Sequence, residues 1–115
     1  MILIKAPSLY PHWYDEWEAQ VEDYADAHDL MYINFLEIQD ETGIDYNTDT
    51  YDAGLHMNLS GAEKLSRYLG PILSKQPGVE DKRNDPEWVS IWEDKIEFYE
   101  AEKLAQYEKY GIVQP

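Results

Sequence analysis

Two short apolar runs on either side of a helical pattern constrain the fold more than any other feature of this chain. Residues 2–4 (ILI) form the first run, which stops at Ala6-Pro7-Ser8, and residues 30–35 (LMYINF) form the second. Between them, after Pro11, apolar residues recur with the spacing of one helix face: Trp13, Trp17, Val21 and Tyr24. This order predicts a βαβ unit with two parallel strands and a right-handed crossover.

A second helix is predicted after residue 59. Ser60 and Glu63 have the spacing of a capping box. Apolar residues line one side of the helix that would follow them: Ala62, Leu65, Leu69, Ile72 and Leu73. Gly70-Pro71 falls inside this pattern and should kink the helix or end it early.

A long C-terminal helix is predicted from Asp85 as its N-cap and Pro86 at its first position. Gly111 is a candidate for its C-cap. Its apolar residues form a stripe: Trp88, Trp92, Ile96, Tyr99, Leu104 and Tyr107. The chain thus divides into an α/β part at residues 1–75, a linker at 76–85 and an amphipathic helix at 86–110.

Two parallel strands do not close a core by themselves, because parallel sheets are normally covered on both faces. A long helix with a Trp-rich stripe also needs a surface against which to pack. We therefore expect either a preceding part of a larger α/β domain or a homo-oligomer that completes the core by association.

The acidic composition argues against two classes of partner. The chain has 24 acidic and 9 basic residues and a formal charge of −15, which repels nucleic acids and anionic membrane surfaces. No apolar run approaches the ~20 residues of a bilayer span, and no signal peptide is recognisable. We expect a soluble chain, with its compartment left open. Without Cys and with only three scattered His, no metal site of the zinc type and no cofactor is predicted.

Residues 45–58 (DYNTDTYDAGLHMN) contain the candidate functional groups. Asp45, Asn47 and Asp49 have the spacing of the first three ligands in an EF-hand loop. The sixth position of that loop requires Gly and is Thr50, and the twelfth requires Glu and is His56. Calcium binding is therefore the weaker alternative.

His56 and Asp52 suggest a different chemistry. A carboxylate that accepts a hydrogen bond from the Nδ1–H of His leaves Nε2 free to take a proton from a hydroxyl nucleophile. On spacing alone, the commoner explanation of a loop His with a nearby Asp is a turn contact. Both interpretations remain open at this point.

The run at residues 51–64 (YDAGLHMNLSGAEK) resembles the last sequence block of the SGNH/GDSL hydrolases. In that block an Asp-x-x-His pair precedes a helix that begins with Asn and Gly-Ala. The run is most similar to bacterial SGNH-type proteins, and the strands at residues 2–8 and 32–35 fit the late strands of their fold. The resemblance covers about residues 1–74 and implies part of a three-layer, flavodoxin-like sandwich with short parallel strands.

The resemblance implies that His56 is the catalytic base and that Asp52 orients it, while Asn58 supports the helix start. Four residues separate Asp52 from His56, whereas the family's common spacing is three, so Asp49 or no Asp is the alternative. The Gly-Asp-Ser block with the nucleophilic Ser, and the blocks with the oxyanion-hole Gly and Asn, are not found.

The chain therefore resembles a fragment of a serine esterase or acyl-ester hydrolase that is inactive alone. The resemblance suggests acylated carbohydrates of the bacterial surface as the substrate class of the complete enzyme. The alternative is a non-catalytic α/β module that associates with itself or with a partner.

Overall fold

A computed structural model describes residues 1–110, and in it the chain forms two compact units, Met1–Pro71 and Ile72–Pro115. The structure is mixed α/β and about half helical. The first unit contains two strands, two helices and most of a third, and the second contains the long C-terminal helix.

The first unit is built on a βαβ arrangement, as the sequence predicts. Strands β1 (Ile2–Lys5) and β2 (Met31–Asn34) are parallel, and helix α1 (Asp15–Ala27) connects them. Their register pairs Leu3 with Tyr32 and Lys5 with Asn34. The helix begins later than Pro11, because the residues before Asp15 form a turn and Tyr14 is the N-cap.

A partly buried network of side-chain hydrogen bonds joins α1 to β2. Tyr32 and Asn34 lie on one face of the sheet because side chains alternate along a strand. The Glu18 carboxylate of α1 accepts a hydrogen bond from the Tyr32 hydroxyl at 2.7 Å and from Asn34 Nδ2 at 3.0 Å. Burial, together with the Glu18 carboxylate, raises the pKa of the Tyr32 hydroxyl above its usual value. This network fixes the helix over the sheet.

The sheet itself is only partly covered. No residue of β1 or β2 is buried, and Ile4 and Met31 are 49% and 46% exposed. Within residues 1–110, each strand has a neighbour on one side only. The large apolar side chains that are buried in the first unit, together with Ala25 of α1, lie after the strands or on α1: Pro7, Ala25, Phe35, Ile44 and Tyr46. A parallel sheet this exposed lacks the cover that such sheets normally have.

Two helices follow β2. Helix α2 (Gln39–Thr42) is short and ends at Gly43, whose φ of 66° is in the left-handed region. Helix α3 (Leu59–Leu73) continues through Pro71 to its end, so the expected early end at Gly70-Pro71 is wrong. Because Pro71 lies in the last turn of α3, little of the helical hydrogen-bond ladder is lost there.

The start of α3 also differs from the prediction. Asn58 is the N-cap: its Oδ1 accepts a hydrogen bond from the N–H of Gly61 at 3.1 Å, and its carbonyl accepts from Ala62 at 2.9 Å. The capping box of Ser60 and Glu63 is wrong, because the Ser60 hydroxyl donates to Asp49 at 2.6 Å instead. The expectation that Asn58 supports the helix start is confirmed.

The second unit consists of turns followed by helix α4 (Pro86–Tyr110). Asp85 is its N-cap, as predicted: its Oδ1 accepts from the N–H of Glu87 at 3.2 Å, and its carbonyl accepts from Val89 at 2.9 Å. The proposed C-cap, Gly111, lies outside the described residues. Within residues 1–110, none of the helices combines the length and apolar character needed to cross a membrane.

We expect Ala to have different effects at two glycines of α3. A Cβ on Gly61 would strike the carbonyl oxygen of Asp49, whereas a Cβ on Gly70 meets nothing beyond its chain neighbours. Gly61→Ala should therefore destabilise the chain by about 1–3 kcal/mol. Gly70→Ala should change the stability by less than about 1 kcal/mol, because the helix propensity gained is offset by the Cβ beside the ring of Pro71. Urea unfolding monitored by circular dichroism measures both. Equal effects of the two substitutions would contradict the close packing of α3 on Asp49.

Candidate functional site

The loop that carries Asp52 and His56 lies beside the segment that follows β1. The Ser8 hydroxyl donates a hydrogen bond to the carbonyl of Leu55 at 2.8 Å, and the N–H of Leu9 donates to the carbonyl of Gly54 at 2.8 Å. These bonds hold the loop at the carboxyl end of a parallel strand. In open α/β sheets, this is the end at which ligands bind.

The loop is closed on itself. Thr50 and Met57 form an isolated antiparallel bridge, and the N–H of Tyr51 donates to the carbonyl of His56 at 2.9 Å. The Thr50 hydroxyl also accepts a hydrogen bond from the N–H of Gly54 at 2.9 Å. Asp52 and His56 are thus the two sides of a short, internally bonded turn.

The tip of this turn requires left-handed backbone. Ala53 and Gly54 have φ values of 57° and 101°. A Cβ at Gly54 would also collide with the side chain of Leu9, so two independent constraints favour glycine there. The left-handed tip reverses the chain and lets the side chains of Asp52 and His56 meet.

Asp52 and His56 form a bidentate contact. Asp52 Oδ2 lies 2.6 Å from His56 Nδ1, and Asp52 Oδ1 accepts the backbone N–H of His56 at 2.7 Å. The hydrogen bond from the imidazole holds the pKa of Asp52 below its usual value. With the proton of a neutral imidazole on Nδ1, Nε2 carries the lone pair that a general base needs.

This pair is open to solvent: the His56 side chain is 78% exposed and that of Asp52 is 42% exposed. A substrate or another part of a protein therefore has access to the imidazole. An exposed ion pair contributes little to folding stability. The contact thus fixes the tautomer and orientation of His56 more than it stabilises the chain.

Asp49, the alternative partner for His56, has a different role. It is 1% exposed, and its carboxylate accepts hydrogen bonds from Lys64 Nζ and the Ser60 hydroxyl, both at 2.6 Å, and from the N–H of Asp45 at 2.7 Å. Burial alone would raise the pKa of Asp49, but these donors outweigh burial and lower it. Asp49 therefore anchors the loop to α3 and does not orient His56.

Lys64 is the residue of this cluster that the sequence analysis left without a role. Ser60 and Lys64 are one helical turn apart on α3 and therefore share a face. This spacing, next to a loop with several Asp residues, could have predicted that Ser60 and Lys64 bind a buried carboxylate of that loop. Asn58 completes the junction, because its Nδ2 donates to the carbonyl of Thr48 at 2.8 Å.

The geometry does not favour calcium at Asp45, Asn47 and Asp49. Asp45 Oδ1 accepts hydrogen bonds from Asn47, and the carboxylate of Asp49 is engaged by Lys64. Within residues 1–110, no group of three or more His, Asp or Glu side chains is placed to hold a metal ion. His28, at the end of α1, contacts the carbonyl of Tyr24 through Nδ1 at 2.8 Å.

Several serines are engaged in hydrogen bonds away from His56. Ser8 bonds to Leu55, Ser60 to Asp49 and Ser66 to the carbonyl of Ala62. In the part of the chain that the structure describes, no serine hydroxyl is hydrogen-bonded to the imidazole of His56.

Comparison of the chain with protein-family models, with curated proteins and with solved structures found no match in any of the three.

We expect Asp49→Asn to destabilise the chain by about 2–3 kcal/mol at neutral pH, because it leaves Lys64 beside a buried neutral amide. The pKa of Asp49 is lower in the folded chain, so its contribution is present above a pH of about 4 and is lost as the pH falls through the folded-state pKa. The difference in unfolding free energy between the parent chain and Asp49→Asn should accordingly become smaller as the pH is lowered below about 4.

Asp45→Asn is the matched control for Asp49→Asn. It makes the same chemical change in the same loop at an exposed residue and keeps an oxygen acceptor for Asn47. Its effect on the unfolding free energy should stay within about 0.5 kcal/mol. If the two variants unfold alike across the pH range, Asp49 is not the anchor of the loop.

Asp52→Asn should change the tautomer of His56 without unfolding the chain. An Asn in place of the orienting Asp favours the wrong tautomer. Nitrogen-15 chemical shifts of the neutral imidazoles report which ring nitrogen holds the proton. His28 is an internal control, since its Nδ1 contacts a carbonyl and not Asp52. Unchanged His56 nitrogen shifts in Asp52→Asn would show that the Asp52 contact is not maintained in solution.

Proposed function

We propose that this chain is the C-terminal part of an SGNH-type acyl-ester hydrolase in which His56 is the general base and Asp52 orients it. The observation that carries the proposal is the 2.6 Å contact between Asp52 Oδ2 and His56 Nδ1 at the carboxyl end of a parallel strand. A closed loop fixed to the first unit by Asp49 presents this pair to solvent.

The chemistry assigned to the pair is proton transfer during acyl transfer. Nε2 of His56 would take the proton from a serine hydroxyl as the hydroxyl attacks the ester carbonyl, and would return it to the leaving alkoxide. Asp52 would hold the Nδ1–H tautomer and stabilise the imidazolium that forms between these steps. The serine and the oxyanion-hole donors would come from another part of the protein.

The exposed βαβ unit supports the same proposal. In a three-layer sandwich of the flavodoxin-like type, β1 and β2 would be neighbours within a larger parallel sheet. The exposure of Ile4 and Met31 and the single neighbour of each strand fit such a position. Acylated carbohydrates remain the substrate class that the resemblance suggests.

The proposal predicts activity that depends on completion of the protein. The chain alone should not hydrolyse p-nitrophenyl acetate or acetylated xylan, because triad members act as a unit with the oxyanion hole. The protein that includes the sequence encoded upstream should hydrolyse acyl esters. In it, His56→Ala should lower kcat by about 10⁶-fold, and Asp52→Asn by about 10⁴-fold.

His12→Ala is the control for that experiment, because His12 is also exposed and contacts Tyr14 and not an acid. It should leave kcat unchanged. Hydrolysis by the chain alone, or equal activities of the His56 and His12 variants, would refute the assigned roles. Absence of any hydrolysis by the completed protein would refute the hydrolase proposal itself.

The second candidate function is association with another protein chain without catalysis. It is favoured by the exposure of large apolar side chains on α4, where Trp88, Trp92 and Ile96 are 45%, 56% and 55% exposed. Such side chains in a continuous group mark interaction sites. The two candidates use different residues and are compatible with each other.

A further inference from the structure

One side of α4 carries a group of large side chains that we call the α4 stripe: Trp88, Ile91, Trp92, Lys95, Ile96 and Tyr99. At 3.6 residues per turn, these six positions lie within an arc of roughly 140°. The five apolar or aromatic members are 38–56% exposed, and Lys95 is exposed as well. The stripe is thus a continuous surface and not a set of scattered residues.

The acidic residues of this part of α4 lie outside the stripe. Glu93, Asp94, Glu97 and Glu100 fall on the remaining arc of the helix when the same turn angle is applied. The only charged member of the stripe is Lys95, whose Nζ lies 6.0 Å from the centre of the Trp92 ring. A chain with a formal charge of −15 therefore presents here a surface free of carboxylates.

The spacing within the stripe reads the same in both directions along the helix. Trp88 and Tyr99 are the outer positions, Ile91 and Ile96 the next, and Trp92 and Lys95 the inner ones. A twofold interface requires that residue i of one chain contacts residue j of the other and that j contacts i. An antiparallel pair of α4 helices meets this requirement, because each of these positions then lies at the same height as its counterpart on the partner.

We propose that two copies of this chain associate through the α4 stripe, with the helices antiparallel across a twofold axis. Trp88, near the middle of the arc, would pack on the partner's Tyr99, whereas Ile91 and Ile96, at its two edges, would each lie beside the same residue of the partner. Trp92 would face the partner's Lys95 in a cation–π contact, which is attractive where it is shielded from water. This inference does not depend on His56 or on the proposed hydrolase.

The size of the stripe sets the expected strength of the dimer. With about half of each side chain exposed, the stripe offers roughly 100 Å² per apolar residue, or about 500 Å² per copy. The total of about 1,000 Å² is at the low end for specific interfaces, so we expect a reversible dimer with a Kd in the micromolar range. Because the net charges of the two copies repel, added salt should strengthen association.

Sedimentation equilibrium of the full chain at about 1–500 μM tests the proposal. Ile91→Glu places a charge at one edge of the stripe, beside the partner's Ile91, and should raise the Kd at least ~10-fold. Ser90→Glu places the same charge at the next residue, on the acidic side of α4, and should leave the Kd unchanged. Circular dichroism checks that both variants keep their helix content. A monomer throughout the range, or equal Kd values for both variants, would overturn the proposal.

A mixture of two variants tests the antiparallel arrangement. Trp88→Lys and Tyr99→Glu each place two mismatched pairs in their own dimer. Mixed together, they would form a dimer with one Lys–Glu pair and one native Trp–Tyr pair, so the mixture should associate at least ~10-fold more tightly than either variant alone. In a parallel arrangement positions 88 and 99 do not face each other, and the absence of any gain on mixing would overturn the antiparallel contact.

Discussion

The buried carboxylate of Asp49 is the interaction on which the candidate site depends. A buried carboxylate is costly unless it is paired and fully hydrogen-bonded. Here Lys64 and Ser60 on α3 and the backbone of Asp45 supply three donors. The satisfied carboxylate ties the loop to the helix, and the close approach at Gly61 depends on the same junction. The position of His56 is therefore set by a residue that takes no part in its chemistry.

Sequence patterns predicted the elements of the fold better than the contacts between them. The β1 and β2 strands, the crossover α1 and the cap at Asp85 follow from local signals, because each depends on residues within one turn or strand. The predicted start of α3 was wrong because Asn58 and Ser60 are both good N-cap residues. The hydrogen bond from the Ser60 hydroxyl to the buried Asp49 carboxylate, a tertiary contact, leaves Asn58 as the N-cap.

The choice between Asp49 and Asp52 was open in the sequence for a related reason. Spacing alone does not show where the chain reverses, and the reversal depends on left-handed backbone at Ala53 and Gly54. Gly54 is a residue type that favours left-handed backbone, whereas Ala53 is not, so the sequence indicated only half of this turn. The backbone path had to be known before the acid beside His56 could be identified. The sequence alone was enough to show that the loop contains Asp residues and a His.

The exposure of the site and the exposure of the sheet are consistent with one cause. Proton transfer by an imidazole is most effective where water is excluded, because electrostatic interactions are stronger at low dielectric. His56 is 78% exposed beside strands of which no residue is buried. A layer that extended the sheet from its open edges would supply both the missing cover and a wall for the site. Under this interpretation the pair Asp52–His56 is a preformed half of an active site, whose geometry is fixed before the other half is added.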